Sequence, residues 1–188
     1  MRPIYLIASL AAVAIAVPAA ANLVAGATAP AFTASGAVAG KPVTFTLSKQ
    51  LQKGTLVVAY FFPSAYTGGC NAEAHAFAEA MPDFQAAGAT VVGLTAGKVD
   101  QLVKFSAEHC AGKFPVVAAT PDIVNKYDVQ LLKADGTSTG ITNRTSYVIA
   151  PDGKIVFVHS DMNPADHITT TLAAVKKYRE THPYRPRR

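Results

Sequence analysis

Cysteine is scarce in this chain, with Cys70 and Cys110 the only two. They stand too far apart to form a CxxC redox pair, and two thiols are too few for a disulfide-dense scaffold. Either they pair as a staple or at least one is kept for chemistry. Charge is also sparse: 15% of the 188 residues are Asp, Glu, Lys or Arg against 50% hydrophobic. That balance excludes a disordered or fibrous chain and suits one globular domain with a substantial core. Repeats, internal linkers and low-complexity stretches are missing between the two ends. No Lys/Arg stripe interleaved with aromatics runs through the chain, which argues against nucleic acid as a partner.

A long apolar run occurs only at the start. Arg2 precedes a nearly unbroken stretch from Ile4 to Val17, followed by Pro18-Ala19-Ala20-Ala21. A positive start, apolar middle and A-x-A exit describe a secretory signal peptide, with cleavage expected after Ala21. The lesser alternative is an uncleaved anchor, because Ile4 to Ala21 just reaches bilayer length. The expected organisation is a leader at 1–21, one domain at 22–182, and a basic flexible tail at 183–188. The mature chain is expected to be exported, either periplasmic or secreted, or held at the membrane if the leader stays. Loss of Arg2 with the leader takes the formal charge from +5 to 5 − 1 = +4.

Periodicity sketches the domain. Gly26 to Ser35 reads as an irregular lead-in, and Val43 to Leu47 alternates like a short strand. Thr55 to Phe62 and Thr90 to Leu94 are apolar runs suited to strands buried on both faces. Gly69 to Ala87 has helical spacing, with a kink or break expected at Pro82. Val99 to Cys110 reads as a helix with Leu102, Val103, Phe105 and Ser106 inward and Gly112 as its stop. Val116 to Ala119 reads as a short strand and Asp122 to Tyr127 as a short helix. Ser146 to Ile149, a Pro-Asp-Gly turn and Lys154 to His159 form a hairpin. Pro164 to Glu180 is an amphipathic helix carrying Ile168, Leu172, Val175 and Tyr178 on one side. This order predicts an α/β protein with a thioredoxin-like fold, a mixed central sheet with helices on both faces.

The chemistry concentrates in Val57 to Phe77, VVAYFFPSAYTGGCNAEAHAF. The apolar run ends at Pro63, a turn-rich loop follows, and Cys70 opens the helix. Free N–H groups and the positive end of the helix dipole favour a thiolate there. Glu73 reads as a charge that complements the same dipole.

Pro63-x-x-x-Thr67-x-x-Cys70, with Glu73 and Phe77 on the helix behind it, resembles the active-site pattern of the peroxiredoxins. Arg144-Thr-Ser-Tyr-Val-Ile-Ala-Pro-Asp-Gly-Lys-Ile resembles their arginine-bearing strand and hairpin. Gly26-Ala-Thr-Ala-Pro-Ala-Phe resembles their opening segment. The resemblance runs from about Val24 to Lys177 and is nearest to the Q-type, bacterioferritin-comigratory subfamily. It implies a thiol-specific peroxidase reducing hydrogen peroxide and small organic hydroperoxides, with no haem, flavin or metal. By the same resemblance Cys70 becomes a sulfenic acid and Thr67 hydrogen-bonds the peroxide. Pro63 walls the pocket, and Arg144 holds both thiolate and peroxide oxygen. A thioredoxin-like protein or a small thiol is the implied reductant, and the molecule is expected to be a monomer or weak dimer.

The chain departs from that pattern in two places. His75 stands where many Q-type relatives carry a resolving cysteine, and Gly68 replaces a frequent proline. Attention therefore passes to Cys110, near the end of the next helix. Three roles stay open: resolving thiol after local unwinding, spectator in a one-cysteine cycle with an external thiol, or buried filler. His75 and His109 are metal-ligand types together with the two cysteines, but their spacing fits no compact motif. The rival functions are a redox-inactive thioredoxin-fold binding module and a thiol-disulfide oxidoreductase, the latter disfavoured by the lack of CxxC.

Overall fold

The computed structural model describes residues 23–184, so the expected leader and Arg185 to Arg188 lie outside the described residues. In chain order the elements are β1 (Thr33–Val38), β2 (Lys41–Thr46), α1 (Leu47–Gln52), β3 (Leu56–Phe61), α2 (Gly68–Ala86) and β4 (Ala89–Thr95). They continue with α3 (Leu102–Glu108), β5 (Val116–Ala118), α4 (Pro121–Lys126), β6 (Gln130–Leu132), β7 (Ser138–Thr142), β8 (Thr145–Ile149), β9 (Ile155–Ser160) and α5 (His167–Thr181). Seven strands form one sheet in the order β2-β1-β5-β4-β3-β8-β9, and β6 pairs with β7 as a separate ribbon. The pairs β3–β4 and β4–β5 are parallel and the others antiparallel. This is the mixed sheet that the pattern predicts.

Helices cover both faces because the central strands are apolar on both sides; all six residues of β3 are buried. On one face Leu47 and Leu51 of α1 and Ile123 and Val124 of α4 pack against the strands. On the other, Phe77 and Phe84 of α2, Leu102 and Phe105 of α3 and Val175 of α5 do so. Cys70 and Cys110 both belong to this second cluster.

Several elements differ from the sequence reading. β1 forms where an irregular lead-in was expected, joined to β2 by Ala39 and Gly40, both at positive φ as a tight hairpin needs. Its small residues hide the strand signal but serve packing, since a Cβ on Gly36 would run into the Val116 carbonyl. α2 is not broken at Pro82. That residue is exposed and costs the helix one hydrogen bond, while buried Ala78, Met81 and Phe84 hold the inner face. The helix expected over 99–110 is a 3₁₀ turn (Val99–Gln101) followed by α3, which stops at His109. Cys110 therefore lies in the turn after the helix, ahead of Ala111 and Gly112 in left-handed conformation. Val103 is 44% exposed, not inward, because so short a helix buries only one narrow stripe. Tyr184, expected in the flexible tail, packs over the Arg179 guanidinium, 5.0 Å from ring centroid to charge. Among the described residues no helix is long and apolar enough to cross a membrane.

Candidate active site

The site sits at the carboxyl end of β3, where open α/β sheets place their ligands. After Phe62 the chain swings out, and the Thr95 hydroxyl donates to the Pro63 carbonyl at 3.1 Å. Thr142, fully buried at the end of β7, donates to the Phe62 carbonyl at 2.6 Å. Tyr66 takes positive φ, an unusual conformation for an aromatic residue, and is held there from α3. Its hydroxyl donates to Glu108 Oε2 at 2.8 Å, and its ring lies edge-on to Phe105 and His109. The loop from Pro63 to Thr67 is thus clamped on both sides before α2 begins.

Thr67 precedes α2 in extended conformation but makes no side-chain cap bond. Its hydroxyl instead donates to the Ser64 carbonyl at 3.2 Å, leaving the oxygen's lone pairs free to accept. Pro63 is half-buried beside it. α2 opens at Gly68, so Cys70 is its third residue, still within the turn whose N–H groups lack helical partners. The thiol is 1% exposed.

Arg144 is not in a strand; it occupies the break between β7 and β8 and is 5% exposed. Each guanidinium nitrogen meets a different partner. Nη2 donates to Cys70 Sγ at 3.5 Å, Nη1 to the Glu73 carboxylate, and Nε to the Met162 carbonyl at 2.9 Å. The reading of Glu73 as a charge complementing the helix dipole is corrected here, since it lies beyond the first turn of α2. It is 1% exposed and paired with Arg144, because a residue three beyond Cys70 shares its helix face. Burial pushes the Glu73 carboxyl above its ordinary range, against the pull of Arg144, and its Oε1 has no partner. The spacing Cys70-x-x-Glu73 was the signal that could have revealed this pair. Nothing in the letters could have revealed the Met162 carbonyl.

The other candidates stand apart. Cys110 is fully buried, and burial pushes its thiol up to about 12, so it is protonated at neutral pH. Both cysteines are free. His75 is on the exposed side of α2 beside Glu79, and His109 ends α3 packed on Phe105. Among the described residues no three His, Cys, Asp or Glu side chains converge as a metal site.

A cysteine sulfur in the first turn of a helix, bonded by a buried and braced guanidinium, suits attack on a bond whose breaking releases negative charge. On a thioredoxin-like sheet this defines a class: the cysteine-dependent peroxidases. A sequence model of the AhpC/TSA family matches residues 25–158, and the chain belongs to that family. The chain is 32% identical over 148 residues to the chloroplastic peroxiredoxin Q of Sedum lineare, covering 78% of this chain and 75% of that protein. Peroxidoxin BcpB of Mycobacterium tuberculosis superposes with a TM-score of 0.70 at 27% identity, over 81% of this chain and 96% of that one. The Xanthomonas campestris bacterioferritin comigratory protein, described for its alkyl peroxide reduction activity, gives a TM-score of 0.66 at 27% identity, over 77% and 90%. The activity is that of a thiol peroxidase.

Proposed function

We propose that Cys70 is the peroxidatic thiol and that Arg144, Thr67 and Pro63 form its peroxide pocket. The bond from Arg144 Nη2 to Cys70 Sγ carries this reading, because it puts a fixed positive charge beside the attacking atom. The Cys70 thiolate attacks one peroxide oxygen; an S–O bond forms, the O–O bond breaks, and the departing oxygen takes a proton to leave as water or an alcohol. Thr67 accepts the hydrogen bond of the incoming hydroperoxide through its free lone pairs. Arg144 bears on the oxygen where charge collects, and Pro63 closes one wall. Hydrogen peroxide and small organic hydroperoxides are the substrates, in keeping with the alkyl peroxide activity of the Xanthomonas relative.

The sulfenic acid is resolved by Cys110. Its turn already holds two consecutive left-handed residues, Ala111 and Gly112, after a helix of only seven residues. This supports local unwinding that carries Cys110 to Cys70, since a disulfide needs Cα atoms within about 7 Å. The Cys110 thiol attacks the sulfenic sulfur, water leaves, and a thioredoxin-type protein reduces the resulting disulfide. The apolar leader supports action outside the cytoplasm.

Mass spectrometry after one equivalent of peroxide tests both steps. Wild type should give a Cys70–Cys110 disulfide, Cys110→Ser a Cys70 with one added oxygen, and Cys70→Ser no peroxide consumption. Consumption that survives in Cys70→Ser overturns the first step, and persistent Cys70 sulfenic acid in wild type overturns the second.

A further inference from the structure

Arg144 can polarise a thiol only if its planar fork is held, and two of its three contacts are easily understood. Glu73 is fixed by α2, and the sulfur is its target. The third contact, the Met162 carbonyl, belongs to a loop that has no packing of its own. Asp161, Met162 and Asn163 are all exposed, with Met162 at 48%. Two side-chain turns shape the loop locally: Asp161 Oδ1 accepts from Asn163 N at 2.8 Å, and Asn163 Oδ1 from Ala165 N at 3.1 Å. Its near end leans on the arginine backbone, where Asp161 N donates to Arg144 O at 3.2 Å.

The group that holds this loop from inside is His167, the first residue of α5 and fully buried. Its Nε2 lies 2.9 Å from the Asp161 carbonyl and its Nδ1 lies 2.8 Å from Ser146 Oγ. A carbonyl can only accept, so Nε2 carries the hydrogen; Nδ1 then accepts from the Ser146 hydroxyl. Ser146 lies in β8, two residues beyond Arg144. The imidazole therefore bridges the strand that follows the arginine and the loop whose next carbonyl aligns it. We propose that His167 is a positioning residue for Arg144, acting through the Asp161–Pro164 loop, which rests on the reading that Arg144 serves Cys70.

Burial foremost favours a neutral ring, and the His159 and Arg144 charges act in the same sense. His159 lies edge-on with centroids 4.5 Å apart and its own Nε2 unpartnered. The same loop lies near the helix start, where a side chain on Gly69 would meet both: its Cβ would stand 3.5 Å from Arg144 Nη2 and 3.9 Å from Pro164. A displaced loop thus disturbs the arginine and the cysteine turn together.

The test compares wild type, His167→Asn, His167→Gln and the double variant Ser146→Ala/His167→Phe, each also in an Arg144→Lys background. Readouts are the rate of Cys70 oxidation by hydrogen peroxide and the pH profile of Cys70 alkylation. Asparagine is too short to reach the Asp161 carbonyl, so oxidation should slow by about tenfold or more and the alkylation profile should move to higher pH. Glutamine places an amide donor near the Nε2 position and should recover most of the rate. The double variant removes both ends of the Ser146–His167 bond, so neither side chain is left buried and unpaired, while the Asp161 carbonyl on its exposed loop loses its donor. It should fold and reproduce the His167→Asn defect. In the Arg144→Lys background these changes should have no further effect. A folded double variant with wild-type rate and profile overturns the proposal, as does an equal slowing without Arg144. Wild type that consumes no peroxide defeats the function reading instead, and the alkylation profiles still decide the role of His167.

Discussion

A guanidinium presents five N–H donors in a rigid plane, and at Arg144 that plane is shared among a sulfur, a carboxylate and a backbone carbonyl. Lysine keeps the charge but cannot span three directions. Arg144→Lys is therefore expected to slow Cys70 oxidation by about a hundredfold, the scale of losing one preorganised donor, in a stopped-flow peroxide assay. His167 leaves a different signature, in stability. Burial lowers its ring from 6.5 to about 4, so between those values the unfolded chain takes up a proton that the native ring refuses. Stability from this residue is complete above about pH 6.5 and lost as pH falls through about 4, a loss on the order of 3 kcal/mol. Urea unfolding at pH 7 and pH 4.5 should show this drop, and it should shrink in Ser146→Ala/His167→Phe. The placement of Arg144 beside Cys70 was legible because the residues flanking both match a known pattern. Glu73 was visible but misread, since a carboxylate near the start of a helix has an ordinary explanation. His167 gave no signal, because its partner is a main-chain carbonyl and its effect reaches Arg144 at second hand.

Among the elements, the strongest patterns read best. β3, β4, β8, β9 and α5 announce themselves by β-branched runs, a Pro-Asp-Gly turn and helical spacing. β1 is hidden by the small residues that let β5 come close, and the ribbon β6–β7 by its polarity, since most of its residues face water. α2 shows how far packing overrides propensity. Its inner face is buried through Phe84, so the helix runs on past a proline that lacks one hydrogen bond. Pro82→Ala restores the donor to an otherwise complete helix. It should raise the unfolding free energy by about 1–3 kcal/mol in denaturant titration and leave the peroxide rate unchanged.

For the whole molecule, the sheet divides the protein into two layers of unlike duty. The α1–α4 layer is apolar packing, while the α2–α3–α5 layer packs around both thiols and Arg144. Arg179 ties the far end of this second layer, donating to the carbonyls of Gly54, Ala87 and Gly88. The Cys70 sulfur is also a member of the hydrophobic core, 1% exposed in the cluster that holds Phe62, Ala74 and Phe77. On the proposed mechanism, turnover converts that core atom into a polar S–OH, which in effect makes the enzyme a point mutant of itself once per cycle. The added oxygen must be fitted into a packed layer, and such overpacking costs about 1–3 kcal/mol. In Cys110→Ser, where the sulfenic acid persists, melting after one equivalent of peroxide should begin several degrees below the reduced protein. An unchanged transition would mean that Cys70 oxidises without disturbing the layer that holds it. On the proposed cycle, an oxidised state loosened in this way would ease the movement that brings Cys110 to Cys70, so that the first step would prepare the second.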